Sequence, residues 1–182
     1  MREPERYLVL MRALGIPADD ASLWIPVGRD DVAEAERLLA EHAIDAAHAV
    51  VVHPGAQLAS RRWPAERFAA VADALADEGA AIVLTGAGGE AALVDAVVAR
   101  MRRPAVSLVG RTTLGGLAAL LQRVPLVVCN DTGVSHVAAA VGTPSVVVAS
   151  GSDTRRWSPA NAARHVVLAS HPPCRPCMHR IC

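Results

Sequence analysis

Aromatic side chains make up only 3% of this 182-residue chain, which excludes the stacked-base platforms that hold single-stranded nucleic acids. An excess of charge of one sign is missing as well: 18 Lys and Arg stand against 18 Asp and Glu, so no broad positive field draws in a polyanion. Nucleic acid is therefore not an expected partner. No apolar run approaches the roughly 20 residues of a membrane-spanning helix. The opening residues Met1-Arg2-Glu3-Pro4-Glu5-Arg6 are charged and lead into no apolar signal core, so the expected location is the cytoplasm. What the chain does have is apolar content, 52% of its residues. That is enough for one domain with a sizeable core, in a chain too short for two.

Two helical segments come first. Tyr7, Leu8, Leu10, Met11 and Leu14 recur at helical spacing and stop at Gly15 and Pro17, and a second helix is expected over residues 31–42. From residue 49 onward, Val-rich runs alternate with amphipathic stretches. Strands are expected at 49–53, 80–85, 106–109, 126–130, 145–149 and 165–168, and helices at 64–78, 90–102, 114–123 and 132–141. Strands that are apolar throughout are covered on both faces, and single helices between them force them parallel. The expected fold is α/β, a doubly wound, Rossmann-like parallel sheet. Such sheets bind ligands beyond the carboxyl ends of their strands, so the turns after Val52, Leu84, Val109, Cys129 and Ala149 are the candidate site.

The most informative turn is Asn130-Asp131-Thr132-Gly133-Val134-Ser135-His136. A buried strand that stops at a polar turn and restarts as a helix aims unpaired N–H groups and a positive helix end at one point, a cradle for phosphate. His136 falls one turn inside that helix, on a reachable face. After the first strand, His53-Pro54-Gly55-Ala56 makes a tight turn, and Arg61 and Arg62 precede Trp63 and Pro64, the proline suiting a first helical position. A guanidinium there either pairs with a phosphate or is a solvated loop charge. Trp63 reads as a packed cover for the turn.

The second strand ends in Thr85-Gly86-Ala87-Gly88-Gly89-Glu90, which lacks both the G-x-G-x-x-G spacing and a P-loop lysine. Glu90 has two readings, a first-turn helix acid or an acceptor for ribose hydroxyls. In Gly110-Arg111-Thr112-Thr113 either threonine can cap the next helix. The polar loop 150–159 either closes over a ligand or is an ordinary connection held by Trp157 and Pro159. Among four cysteines, Cys129 reads as core. Cys174, Cys177 and Cys182 crowd the C-terminus in a C-x-x-C pattern that admits a metal site, reduced thiols or a local disulfide.

Taken in order, these turns resemble the C-terminal half of the lipopolysaccharide heptosyltransferases, glycosyltransferase family 9. The resemblance is carried by His53-Pro54-Gly55-Ala56, Arg61-Arg62-Trp63-Pro64 with Phe68, Thr85 to Gly89 with Glu90, Leu108-Val109-Gly110-Arg111-Thr112, and Asp131 to His136 followed by Gly142-Thr143-Pro144. It continues through Trp157-Ser158-Pro159 to the cysteine tail and covers residues 45–182, with 1–44 as interdomain linker and helical segment.

The resemblance implies one half of a GT-B architecture that binds a nucleotide-sugar donor, typically ADP-heptose, for inverting, metal-independent transfer to the lipopolysaccharide inner core. No metal and no further cofactor is implied. Carried onto this chain, the backbone of Asp131, Thr132 and Gly133 holds the diphosphate with Arg61 as basic partner. Glu90 takes the ribose, and His136 lies near the diphosphate or sugar. The acceptor, a lipid-linked saccharide, and the catalytic carboxylate belong to an N-terminal domain absent from this sequence. This chain alone is then expected to bind donor without transferring sugar, in the cytoplasm or at the inner membrane's edge. The competing expectations are a non-catalytic nucleotide-binding or interaction module and a nicotinamide-binding domain, the latter disfavoured by His53-Pro54-Gly55-Ala56 standing where G-x-G-x-x-G belongs.

Overall fold

In a computed structural model, which describes residues 1–177 and 179–181, six parallel strands form one sheet in the order β3-β2-β1-β4-β5-β6. The strands are β1 (Ala49–His53), β2 (Ala81–Leu84), β3 (Ala105–Ser107), β4 (Leu126–Asn130), β5 (Ser145–Ala149) and β6 (His165–Ala169). Between and before them run α1 (Glu3–Ala13), α2 (Arg29–Glu41), α3 (Ala65–Asp77), α4 (Ala91–Val98), α5 (Leu114–Leu121), α6 (Gly133–Val141) and the single turn α7 (Thr154–Trp157). The fold is the doubly wound α/β sheet expected, and its strand order reverses direction between β1 and β4. At that point the connections that follow the two neighbouring strands leave to opposite faces of the sheet and open a crevice.

Both faces of the central strands β1, β2, β4 and β5 are covered, which is why those strands are mostly apolar, whereas edge strand β6 leaves Val166 and Leu168 exposed. Val51, Val83, Val127, Cys129 and Val147 point to one side, against Leu38 of α2, Leu120 of α5 and Ala138 of α6. Val50, Val52, Ile82, Leu84 and Val128 point to the other, against Phe68 of α3 and Val94 and Val97 of α4. Burying such side chains contributes about 1.5–3 kcal/mol each, so the two layers fix the register of β1 against β4, including His53 opposite Cys129. Among the described residues no helix is long and apolar enough to cross a membrane.

Several boundaries differ from expectation, and three of them have a visible cause or consequence. Pro64 flanks α3 rather than opening it, because its ψ of 140° is extended. Helix α4 stops at Val98 rather than 102, since the buried carboxylate of Asp73 captures the amides of Arg102 and Arg103 (2.9 Å each). Strand β3 starts and stops earlier, at Ala105–Ser107, although Leu108 still donates to the Leu84 carbonyl at 2.8 Å.

The two helices within residues 1–44 differ. Helix α2 packs into the core through Ala35, Leu38 and Leu39. Helix α1 buries nothing and leaves Tyr7, Leu10 and Leu14 exposed. It is tied to the sheet's carboxyl side by Glu3, which accepts from Arg156 Nε and Nη2.

Candidate functional site

At the crevice between β1 and β4, the buried side chain of Asn130 joins the two turns that follow them. Its Nδ2 donates to the Pro54 carbonyl (2.8 Å) and, more weakly, to that of Gly55 (3.3 Å), while its Oδ1 accepts from the Trp63 amide (2.9 Å). Trp63 stacks edge-on against Phe68, with ring centroids 5.2 Å apart, in line with its reading as a cover. Between these fixed points the two arginines separate in role. Arg62 donates from Nε to the Ala56 carbonyl at 2.8 Å and closes its own loop. Arg61 does not: its Nε is buried without a hydrogen-bond partner, and the side chain lines a cavity of about 270 Å³ with Ala56, Asp131, Gly133, His136 and Trp157.

The other wall of that cavity is the start of α6. The Asp131 amide donates to the Val148 carbonyl at 3.0 Å and is spent in the sheet. This corrects the expectation that its backbone faces an anion. The Thr132 carbonyl is used by Ser135, through its amide (3.0 Å) and hydroxyl (2.7 Å). The amides of Thr132, Gly133 and Val134 take no hydrogen bond among the described residues. A side chain on Gly133 would meet nothing within 4 Å, so space stands open in front of these donors. Unpaired amides at the positive end of a nine-residue helix favour an anion. Beside them the Asp131 carboxylate is buried, with Oδ2 unpartnered. Burial holds the His136 imidazole below its ordinary pKa against the opposing pull of Asp131, so the ring is neutral at pH 7 and keeps one N–H to donate.

A larger cleft of about 530 Å³ adjoins the first across Gln57, Thr132 and Gly133 and is walled by Leu114, Leu117, Val134 and Val137. Glu90 borders it. Its Oε2 accepts from the Ala87 amide at 2.9 Å, so it serves as a helix-start acid while also facing the cleft. The Glu90 carboxylate packs directly against Gly55, in the place a Cβ there would take. His53, also bordering the cleft, pairs its Nδ1 with Thr85 Oγ1 at 3.1 Å and sits 3.8 Å from Glu90. Burial pushes its pKa down, and Glu90 pulls it partly back.

The expected residues Arg61, Asp131, Thr132, Gly133 and His136 thus share one cavity, and Glu90 borders the next. Arg111 faces away and pairs with Glu41 at 2.9 Å, and Thr113 caps α5. In the loop 150–159, Trp157 reaches the cavity wall. Sequence reasoning did not single out Asn130, Gln57 or Ser60 as functional. A wholly buried asparagine closing an apolar strand was the available signal for the first. Cys129 is buried, as expected, and Cys174 and Cys177 are free thiols, one of the three states the C-x-x-C pattern admits. Cys182 lies outside the described residues. Among those described, no three metal-binding side chains gather.

Comparison with known proteins agrees with this fold. The family model described as glycosyltransferase family 9 (heptosyltransferase) matches residues 5–182. A lipopolysaccharide heptosyltransferase 3 from Escherichia coli is 28% identical over 173 residues, covering 87% of this chain and 51% of its own length. Among solved structures, a family 9 glycosyl transferase from Veillonella parvula superposes with a TM-score of 0.83 at 28% identity, over 91% of this chain and 48% of its own. The E. coli heptosyltransferase WaaC, solved with ADP, gives a TM-score of 0.63 at 25% identity over 88% of this chain and 48% of its own. It has also been solved with ADP-2-deoxy-2-fluoro heptose. The chain spans about half the length of these three relatives. It belongs to glycosyltransferase family 9, the heptosyltransferase family.

Proposed function

We propose that this chain is the donor-binding half of an inverting glycosyltransferase that takes heptose, or a related sugar, from ADP-heptose for the lipopolysaccharide inner core. The observation that carries the reading is the unspent polarity around one cavity: three free amides at the start of α6, the unpartnered Arg61 Nε and the unpartnered Asp131 Oδ2. Buried polar groups without partners cost about 1–3 kcal/mol each. Their gathering at the switch point suits a ligand that completes them. A diphosphate accepts from the amides of Thr132, Gly133 and Val134 and from Arg61. The bordering cleft then takes the nucleoside, its ribose hydroxyls donating to Glu90 and its base lying on the apolar wall of Leu114, Leu117 and Val137.

This arrangement serves the leaving group. As the bond from the anomeric carbon to the β-phosphate oxygen breaks, the electron pair stays on the diphosphate, and the fixed amides and Arg61 stabilise the charge where it develops. Asp131 Oδ2 accepts from a sugar hydroxyl, and neutral His136 donates a hydrogen bond without adding charge. The acceptor hydroxyl attacks from the opposite face, and we assign the base that deprotonates it, with the lipid-linked saccharide site, to the remaining part of a longer protein. This half alone then binds donor but does not turn it over.

Calorimetry with ADP in the presence of EDTA tests the reading. Binding is expected without metal and is expected to weaken in Arg61→Ala. A well-folded chain that takes up no ADP, or prefers NAD, contradicts it.

A further inference from the structure

The C-terminal segment, described at residues 170–177 and 179–181, is stitched by hydrogen bonds to two loops at the carboxyl end of the sheet. Arg175 fastens one: its Nε and Nη2 donate to the Ser152 carbonyl (3.1 and 2.9 Å) and its Nη1 to that of Ser170 (2.6 Å). The Cys177 amide adds a bond of 2.7 Å to the Gly151 carbonyl. Farther along, the segment fastens the other loop. The His179 carbonyl accepts from Ser60 Oγ at 2.6 Å, and the Arg180 carbonyl accepts from the Ser60 amide at 3.0 Å. The three segments meet closely at Gly151, where a Cβ would stand a tight 3.3 Å from the Ser60 carbonyl oxygen and at ordinary contact, 3.6 Å, from Cys177 Cβ.

Ser60 is buried and directly precedes Arg61. Because no hydrogen bond holds the Arg61 Nε, the backbone must set where the guanidinium points. On the downstream side Arg62 and Asn130 fix that backbone, through the Ala56 carbonyl and the Trp63 amide. On the upstream side the polar contacts of Ser60 are those to the tail.

We infer that the C-terminal tail is a strap that aims Arg61 into the diphosphate cavity, with Ser60 as the positioning residue. The inference rests on the reading of Arg61 as the diphosphate's partner. A long cation held in place loses less freedom on pairing with phosphate than one on a loose loop, so the strap acts on affinity for the charged end of the ligand.

Two variants of the full chain test it, Ser60→Ala and Arg175→Ala, the second lying outside the cavity. Each is expected to weaken ADP binding by about tenfold and AMP binding by only about twofold, the scale of one charge-assisted hydrogen bond lost. Hydrogen exchange over residues 57–63 is expected to quicken while β1 and β4 keep their protection. Combined with Arg61→Ala, Ser60→Ala should cost no further ADP affinity, as a residue acting only through Arg61 must.

An unchanged ratio of ADP to AMP affinity in both variants overturns the strap. So does unchanged exchange over 57–63. If the unaltered chain binds no ADP, the donor reading falls, and exchange over 57–63 still decides whether the tail holds the loop.

Discussion

Two open cavities of nearly equal size lie at opposite ends of the sheet. One of about 530 Å³ stands at the carboxyl ends of β1 and β4, and one of about 520 Å³ at the amino ends of β2 and β3. Volume does not separate them; what does is the smaller cavity of about 270 Å³ that adjoins only the first, across Gln57, Thr132 and Gly133. At the amino end Arg103 pairs with Asp77, and neighbouring Asp73 takes the amides and Nε of Arg102 and Arg103's amide. No buried side-chain polar atom lining that cavity lacks a partner among the described residues. In that smaller cavity Arg61 Nε and Asp131 Oδ2 are buried without a partner, and the free amides of Thr132, Gly133 and Val134 stand beside them. The polar groups around the amino-end cavity are satisfied while those beside the carboxyl-end cleft are unspent, and that difference points to where a ligand completes the structure.

The comparison can be broken or sharpened by substitution. The largest effect is expected from Asn130→Ala, which removes three hydrogen bonds joining the turns. Urea unfolding should show a loss of about 3 kcal/mol, at about 1 kcal/mol per bond, and ADP binding should weaken as the turns drift apart.

Arg61→Ala is expected to cost about 2 kcal/mol of ADP binding, roughly thirtyfold, with the melting temperature unchanged because no intramolecular bond is lost from its Nε. A fall in stability instead would make Arg61 a structural residue.

A smaller effect concerns pH. Burial lowers the pKa of His53, His136 and His165 below the ordinary value, so the unfolded chain binds more protons as pH drops through about 6.5. Stability should therefore fall on going from pH 7 toward pH 5, and His53→Gln should flatten part of that slope in denaturation curves.

The smallest effect is expected at the satisfied end. Ile44→Ala should leave ADP affinity within error, and a measurable loss there would erase the distinction between the two cavities.

Much of this was legible before the coordinates. Val-rich runs without alternation announced strands buried on both faces, and all six strands appear in the parallel sheet. The Asp131-Thr132-Gly133 turn announced itself through a strand stopping where a helix begins. What the sequence could not convey was partnership at a distance. Arg61 and Arg62 look alike as neighbours, and only the Ala56 carbonyl under Arg62 tells the anchored one from the free one. The Asp131 amide looked available until β5 ran alongside and took it through Val148. The two opening segments both read as helices, yet only α2 finds a core to face.

The central claim is that the unspent groups between β1 and β4 form an anion site for a nucleoside diphosphate. It is tested most directly by mapping ADP-induced shifts of backbone amide resonances in the metal-free protein. The account predicts that Arg61, Thr132, Gly133 and Val134 move most, with Glu90 and the Leu114 region following and residues 42–44 and 103–106 unmoved. Shifts gathered at the amino ends of β2 and β3, or none at saturating ADP, would contradict it.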